Sequence, residues 1–128
     1  IDLQAVEDSV NIDEMHFTNV LFNLLDNALK YRKEDVPLEL MMRTWNDTGK
    51  LYISIEDNGI GIKKEYVKKV FDRFYRIPTG NVHDVKGFGL GLAYVHKIVS
   101  DHKGTIRAES ELGKGTKFII SLPLITQK

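Results

Sequence analysis

The spacing of apolar residues predicts one long helix near the start of the chain. Between Asp13 and Tyr31, apolar side chains recur every three or four residues, and neither glycine nor proline interrupts them. Such a pattern gives a helix one apolar face that can pack on a core. The residues of this face are Phe17, Val20, Leu21, Leu24 and Ala28.

A second line of residues on the same helix is polar. Asn23, Asn27 and Lys30, here called the polar row, fall within roughly 60° of one another on the helix surface, and Tyr31 lies beside them. Two interpretations are open at this point. The polar row is either an ordinary solvated face or a ligand site, because carboxamide oxygens coordinate Mg²⁺ and a lysine ammonium binds phosphate.

Alternation with a period of two predicts strands in much of the remaining chain. The predicted strands cover residues 1–5, 10–12, 38–44, 51–56, 106–108 and 118–122, and a turn at 47–49 joins two of them into a hairpin. A charged helix is predicted over 64–74, with four residues facing inward. These are Val67, Val70, Phe71 and Phe74.

A further helix is predicted to open at Gly89-Leu90-Gly91 and to end near 102–104. Its predicted inward residues are Leu92, Val95 and Val99, with Ile98 at their edge. Residues 75–88 show no periodicity, and a loop of this length in a compact domain is typical of a lid or a disordered segment. The elements together predict an α+β fold, a two-layer sandwich whose mixed, mostly antiparallel sheet carries three main helices on one face.

Composition narrows the function classes. The 128 residues are expected to form a single domain, 1–128, and the 18 basic residues balance the 18 acidic ones. This balance argues against nucleic acid and against an anionic membrane as partners. The absence of cysteine excludes disulfides and zinc-thiolate sites and fits a cytoplasmic domain. No apolar run reaches the length of a membrane span, and the first residue, Ile1, suggests a piece of a longer protein.

Two glycine-containing stretches are candidates for ligand contact. Asp57-Asn58-Gly59-Ile60-Gly61 follows a predicted buried strand and is either an Asn-Gly turn or a pocket for a flat ligand. In the second case Asp57 accepts a hydrogen bond from an amino group such as that of adenine, whereas guanine presents an acceptor there and is rejected. Residues 87–92 place three glycines before a helix, where exposed amides bind phosphate.

The motifs in chain order resemble those of the ATP-binding catalytic domain of sensor histidine kinases. This family shares a superfamily with type II topoisomerases, mismatch-repair ATPases and heat-shock chaperone ATPases. The resemblance covers about Asp13 to Leu122. The motifs are N-x-x-x-N at 23–27, D-x-G-x-G at 57–61, F-x-x-F-Y-R at 71–76, G-x-G-x-G at 87–91 and G-x-G-T at 113–116.

The resemblance implies the Bergerat-type ATP-binding fold, Mg²⁺ and ATP as cofactors, and a mobile lid at about 75–88. It implies that Asn27 ligates Mg²⁺, that Asp57 fixes the adenine amino group, and that Asn23, Lys30 and Arg76 serve catalysis. The full set of implied nucleotide-binding residues is Asn23, Asn27, Lys30, Tyr31, Asp57, Gly59, Gly61, Ile62, Arg76, Gly87, Gly89, Leu90, Gly91, Leu92 and Thr116.

The resemblance also implies that the γ-phosphate goes to a histidine on a separate dimerisation domain, with a response regulator downstream. The ATPase relatives carry Glu where this chain has Asn23, and a carboxamide cannot take a proton at neutral pH. Transfer with slow hydrolysis is therefore expected. Two alternatives stay open: a nucleotide-binding sensor without transfer, and a serine kinase of the anti-sigma type.

Overall fold

The computed structural model describes residues 2–3, 14–72 and 91–124. Its helices are α1 (Glu14–Lys30), α2 (Lys64–Val67) and α3 (Gly91–Asp101). Its strands are β1 (Asp2–Leu3), β2 (Leu40–Asp47), β3 (Lys50–Asp57), β4 (Thr105–Glu111) and β5 (Gly115–Pro123). They form one sheet in the order β1-β2-β3-β5-β4. The β1–β2 pair is parallel and the other pairs are antiparallel, so the predicted mixed, mostly antiparallel sheet is confirmed.

The β2–β3 hairpin forms as predicted. Asp47 pairs with Lys50, which leaves Thr48 and Gly49 as a two-residue connection. Both residues have positive φ, 47° and 75°. A turn of this kind matches the right-handed twist of the flanking strands. The turn fixes the register and places Asp57, the last residue of β3, opposite Leu40.

The core lies between the helices and one face of the sheet. Side chains from α1 and α3 meet alternate residues of β3 and β5, because successive strand residues point to opposite faces. Ile98, predicted at the edge of α3, is instead fully part of this core. The buried cluster consists of Phe17, Val20, Leu24, Ile55, Val95, Ile98, Val99, Phe118, Ile120 and Leu122.

The second helix is shorter than predicted. Within the described residues 64–72, the helix covers only 64–67, and the following hydrogen bonds from Lys69 N to Tyr66 O and from Asp72 N to Lys69 O, both 2.9 Å, span three residues instead of four. The chain thus tightens into turns after α2. Val70 is buried and Phe71 packs edge-on against Phe118, as an inward face requires. The predicted position Phe74 lies outside the described residues.

The end of α3 is close to the prediction but differs in detail. Lys103, and not the glycine after it, adopts the left-handed conformation, with φ of 63°. The amide of Gly104 donates to Val99 O at 2.9 Å and that of Lys103 to Ser100 O at 2.9 Å. These two bonds close the helix in a Schellman motif. The chain then enters β4 at the edge of the sheet.

Candidate functional site

Asp57 ends β3 as a buried carboxylate with 9% of its surface exposed. Its Oδ1 accepts a hydrogen bond from Gly59 N at 2.9 Å and another from Thr116 N at 3.2 Å. Oδ1 accepts both of the hydrogen bonds that this side chain receives from described residues. Oδ2 is therefore left to accept a hydrogen bond from a ligand.

Burial sets the protonation behaviour of this carboxyl. Desolvation raises the pKa of Asp57 above its ordinary value, because the charged form loses contact with water. The hydrogen bonds from Gly59 and Thr116 act in the opposite direction and favour the carboxylate, while the charge of Glu56 adds to the increase. A hydrogen-bond donor on a bound ligand could pair with Oδ2 and stabilise the charged form further.

The loop after Asp57 requires glycine at two positions. A Cβ on Gly59 would overlap Tyr31 O at the end of α1. Gly61 has φ of 76°, and a Cβ there would overlap Glu111 O at the end of β4. At both glycines the backbone lies close to another segment of the protein, and this pins the loop between α1 and β4.

Hydrogen bonds hold this loop from both sides. The amide of Ile60 donates to Tyr31 O at 2.9 Å, and Ile60 O accepts from Gly113 N at 2.7 Å. Asn58 does not serve a hairpin turn, because its amide side chain bonds Glu39 N at 2.8 Å and Pro37 O at 3.0 Å ahead of β2. The loop is therefore a fixed wall beside Asp57.

Ser110 is a residue of this region that the sequence analysis missed. Its Oγ accepts from Ile62 N at 2.7 Å and donates to Gly115 O at 2.8 Å. Because a hydroxyl carries one proton, the 2.8 Å bond between Ser110 Oγ and Thr116 Oγ1 has Thr116 as its donor. The oxygen of Thr116 can then still accept a hydrogen bond. A polar residue on the inward side of β4, after Ile106 and Ala108, was the available signal.

The polar row of α1 spans the space between this loop and α3. The Oδ1 of Asn23 lies 3.0 Å from the place of a Cβ on Gly91, the first residue of α3, and its Nδ2 donates to Asn19 O at 2.8 Å. Tyr31, eight residues later and about 12 Å further along the helix, contacts Gly59. Asn27 is half-buried between them.

Lys30, the last member of the polar row, forms an ion pair with Asp26 across one helical turn. The Nζ–Oδ2 distance is 2.9 Å, and both side chains are more than one-third exposed. An exposed pair of this kind contributes only about 0.3–0.5 kcal/mol. Lys30 can therefore exchange Asp26 for a stronger anionic partner at small cost.

An open cavity of about 700 Å³ lies where α1 meets the start of α3. This volume is in the range of small-molecule sites. Its lining residues are Asn19, Phe22, Asn23, Asp26, Gly91 and Tyr94. A second cavity of about 800 Å³, between α2 and β4, contains none of the residues predicted from the motifs. We take the first as one end of the candidate site, because Asn23 of the polar row lines it, although Asn27, Lys30 and Asp57 do not.

Four of the predicted site residues lie in the segment 73–90, outside the described residues. Arg76, Gly87, Gly89 and Leu90 lie outside the described residues, as does the predicted lid at 75–88. Leu92 is half-buried and packs against the core. In the described part of the chain, no cluster of three His, Cys, Asp or Glu side chains could hold a metal ion. No helix in the described ranges has the length and apolar character to cross a bilayer.

Comparison with known proteins identifies the family. The family described as histidine kinase-, DNA gyrase B-, and HSP90-like ATPases matches residues 12–126. The chain belongs to this family. Sensor protein RprX from Bacteroides fragilis is 69% identical over 124 residues, which cover 97% of this chain and 24% of that protein. Sensor histidine kinase WalK from Bacillus subtilis is 44% identical over 114 residues, covering 89% of this chain and 19% of that protein.

A solved structure agrees with this assignment. The mycobacterial sensor histidine kinase MprB superposes with a TM-score of 0.77 at 28% identity, covering 95% of this chain and 82% of that one. These comparisons confirm the resemblance to sensor histidine kinases, the α+β fold and the prediction of an ATP-binding catalytic domain. They give no sign of the anti-sigma alternative. This member of the histidine kinase-like ATPases spans a quarter or less of the length of the curated relatives it matches.

Proposed function

We propose that this domain binds Mg²⁺-ATP and transfers the γ-phosphate to a histidine on a separate helical dimerisation domain. The observation that carries the proposal is the buried Asp57 carboxylate, whose Oδ1 is held by Gly59 and Thr116 while Oδ2 receives no bond from a described residue. This arrangement suits the exocyclic amino group of adenine, which is a donor. Guanine places an acceptor there and would face a carboxylate.

The base would lie beside the loop that Gly59, Gly61 and Ile62 form. Tyr31 sits next to that loop through the bond between its carbonyl oxygen and Ile60 N, and so can pack near the base. Thr116 lies beside Asp57, to which its amide donates, and its hydroxyl oxygen could accept a hydrogen bond from the base directly or through water.

The phosphates would extend along the polar row toward the start of α3. Asn27 offers a half-buried carboxamide oxygen and Asn23 a second one, and oxygen donors are the ligands that Mg²⁺ prefers. Mg²⁺ commonly takes one or two protein ligands together with substrate phosphates, so this small donor set fits it. When bound, the ion would neutralise phosphate charge. Lys30 and, from the sequence motif, Arg76 would add positive charge.

The transfer itself needs alignment and charge neutralisation more than covalent help. A bond forms between an imidazole nitrogen of the acceptor and the γ-phosphorus, the bond from that phosphorus to the β–γ bridging oxygen breaks, and ADP leaves. Asn23 stands where hydrolytic relatives carry Glu and cannot act as a base for water. Its Nδ2 is committed to Asn19 O, which directs Oδ1 toward α3. Hydrolysis by the isolated domain is therefore expected to be slow.

The same proposal assigns the partners and the setting. The acceptor histidine lies on the protein's own dimerisation domain, a response regulator receives the phosphate next, and the domain works in the cytoplasm, where ATP is available. We keep residues 1–128 as a single domain with a lid at about 75–88.

The test is transfer in trans. The domain, a separately expressed helical acceptor domain and γ-labelled ATP are mixed, and the acceptor is analysed for label. Acid-labile, base-stable label that disappears when the acceptor histidine is replaced by glutamine supports the proposal. Acid-stable label would indicate a serine kinase, and nucleotide binding without label would indicate a sensor; either result contradicts it.

A further inference from the structure

The hydroxyl of Ser110 is hydrogen-bonded to three residues around the proposed base site. Its Oγ accepts from Ile62 N at 2.7 Å and donates to Gly115 O at 2.8 Å. It also lies 2.8 Å from Thr116 Oγ1. Ile62 follows the loop beside Asp57, and Thr116 donates its amide hydrogen to that carboxylate. One hydroxyl therefore links the loop on one side of Asp57 to the strand on the other.

A single peptide group connects Ser110 to Asp57. The carbonyl of Gly115 and the N–H of Thr116 belong to the same planar unit. Its oxygen accepts from Ser110 at 2.8 Å, and its hydrogen is donated to Asp57 Oδ1, with an N–O distance of 3.2 Å. Gly115 also lies directly against the backbone of Asp57, because a Cβ on this glycine would overlap Asp57 O. The direction of the N–H at Asp57 therefore depends on the bond to Ser110.

We propose that Ser110 is a positioning residue that determines selectivity for adenine, an inference that rests on the proposed function. By orienting the peptide group between Gly115 and Thr116, it keeps Oδ1 of Asp57 paired with the protein and leaves Oδ2 for the amino group of the base. Without the hydroxyl, this peptide group can turn, Oδ1 loses one of its two donors, and the carboxylate gains freedom to rotate. The bond to the amino group is then weakened, whereas contacts to the ribose and the phosphates are not.

A second hydroxyl pair on the same two strands provides a matched control. Thr105 Oγ1 and Ser121 Oγ lie 2.6 Å apart, and these residues face each other across β4 and β5, as Ser110 and Thr116 do. Thr105 is five residues before Ser110, roughly 17 Å away along the strand. Loss of either β4 hydroxyl removes a bond between the same strands. The two variants therefore separate strand pairing from recognition of the base.

The experiment compares the Kd for ATP with the Kd for inosine triphosphate, in which an oxygen replaces the amino group of the base. In Ser110→Ala we expect the Kd for ATP to rise about five- to ten-fold and that for inosine triphosphate to change less than about two-fold. Ser110→Thr keeps the hydroxyl and should retain the selectivity, since the cavity between α2 and β4 that Ser110 lines has room for a methyl group. Thr105→Val should leave both values unchanged. Equal losses for the two nucleotides in Ser110→Ala would show a merely structural role and overturn the proposal.

Binding and transfer fail separately. If the wild-type domain prefers ATP, Ser110→Ala does not, and no label reaches an acceptor histidine, the inference stands and only the proposed function fails. If the wild-type domain binds both nucleotides equally, the inference is refuted whatever the transfer assay shows. Without nucleotide, the NMR signal of the Thr116 amide should shift in Ser110→Ala and stay in place in Thr105→Val; an unmoved signal in Ser110→Ala contradicts the proposal. If Ser110→Ala does not fold, Ser110→Cys takes its place, because a thiol is a weaker donor and acceptor.

Discussion

Replacing Asp57 by asparagine should separate stability from nucleotide binding. The side chains have the same shape, so Oδ1 of the variant can still accept the amide hydrogens of Gly59 and Thr116. The Nδ2 group takes the place of Oδ2 and presents a donor to the adenine amino group, which is also a donor. The variant therefore loses the charge-assisted bond to the base and keeps its place in the fold.

The expected loss of affinity follows from that one bond. A hydrogen bond to a charged group contributes roughly 1.5–3 kcal/mol, and each 1.4 kcal/mol changes an equilibrium constant ten-fold. The Kd for ATP should therefore rise by roughly 10- to 150-fold at pH 7. Calorimetric titration measures it. Asp47→Asn is a matched control, because it removes the same charge from an exposed position at the far end of the hairpin.

Without nucleotide, Asp57→Asn should raise the free energy of unfolding at pH 7. Burial raises the pKa of Asp57 in the folded state above its unfolded value. The stability that this group contributes is then fully present below the unfolded pKa and is lost as pH rises through the folded pKa. At pH 7 the ionised carboxylate is a net cost, which asparagine removes, so the variant should unfold at a higher urea concentration. The advantage should shrink as the pH falls and Asp57 of the wild type becomes protonated.

Either of two results would refute this reasoning. An unchanged Kd for ATP would remove Asp57 from the base site. A variant that is less stable than the wild-type domain at pH 7 without nucleotide would show that the two backbone hydrogen bonds outweigh the desolvation of the carboxylate.

Three further predictions concern the polar row and its surroundings. Asn27→Ala should weaken binding of Mg²⁺-ATP far more than binding of ATP in EDTA, and equal losses in the two titrations would take Asn27 out of the metal site. Asp26→Asn should tighten ATP binding about two- to five-fold at low salt, because Lys30 no longer pairs with a carboxylate and its full charge is available to the phosphates; the same gain in a Lys30→Met background would show that Lys30 is not involved. Ser110→Ala should lower the free energy of unfolding by about 1–3 kcal/mol, because Ile62 N loses its acceptor, and urea unfolding at wild-type values would contradict that role.

Local features of the fold followed from the sequence because local chemistry determines them. The β2–β3 turn needs only residues that tolerate positive φ, and the core face of α1 needs only a three-four spacing. The shortened α2 was not predicted, since its apolar spacing continues past Val67 while its hydrogen bonds do not. Phe71 reaches the core from a turn, and that placement depends on Phe118, far along the chain.

The sequence predicted which residues form the site, but not the hydrogen bonds that hold them in place. Motifs pointed to Asp57 and the polar row, yet Asp57 has one hydrogen-bond donor, Thr116 N, that is 59 positions away, and Ser110 has one, Ile62 N, that is 48 positions away. Such contacts arise from the pairing of β3 with β5 and of β4 with β5, which no local pattern encodes. The ion pair of Lys30 with Asp26 was also missed, although its four-residue spacing on a helix is a readable signal.

The most direct measurement of the central claim is a crystal structure of the domain with Mg²⁺ and a non-hydrolysable ATP analogue. The account predicts the adenine amino group within hydrogen-bond distance of Asp57 Oδ2, the metal on the carboxamide of Asn27, and the phosphates along α1 toward Gly91. A nucleotide bound elsewhere, or one whose base does not meet Asp57, would contradict it.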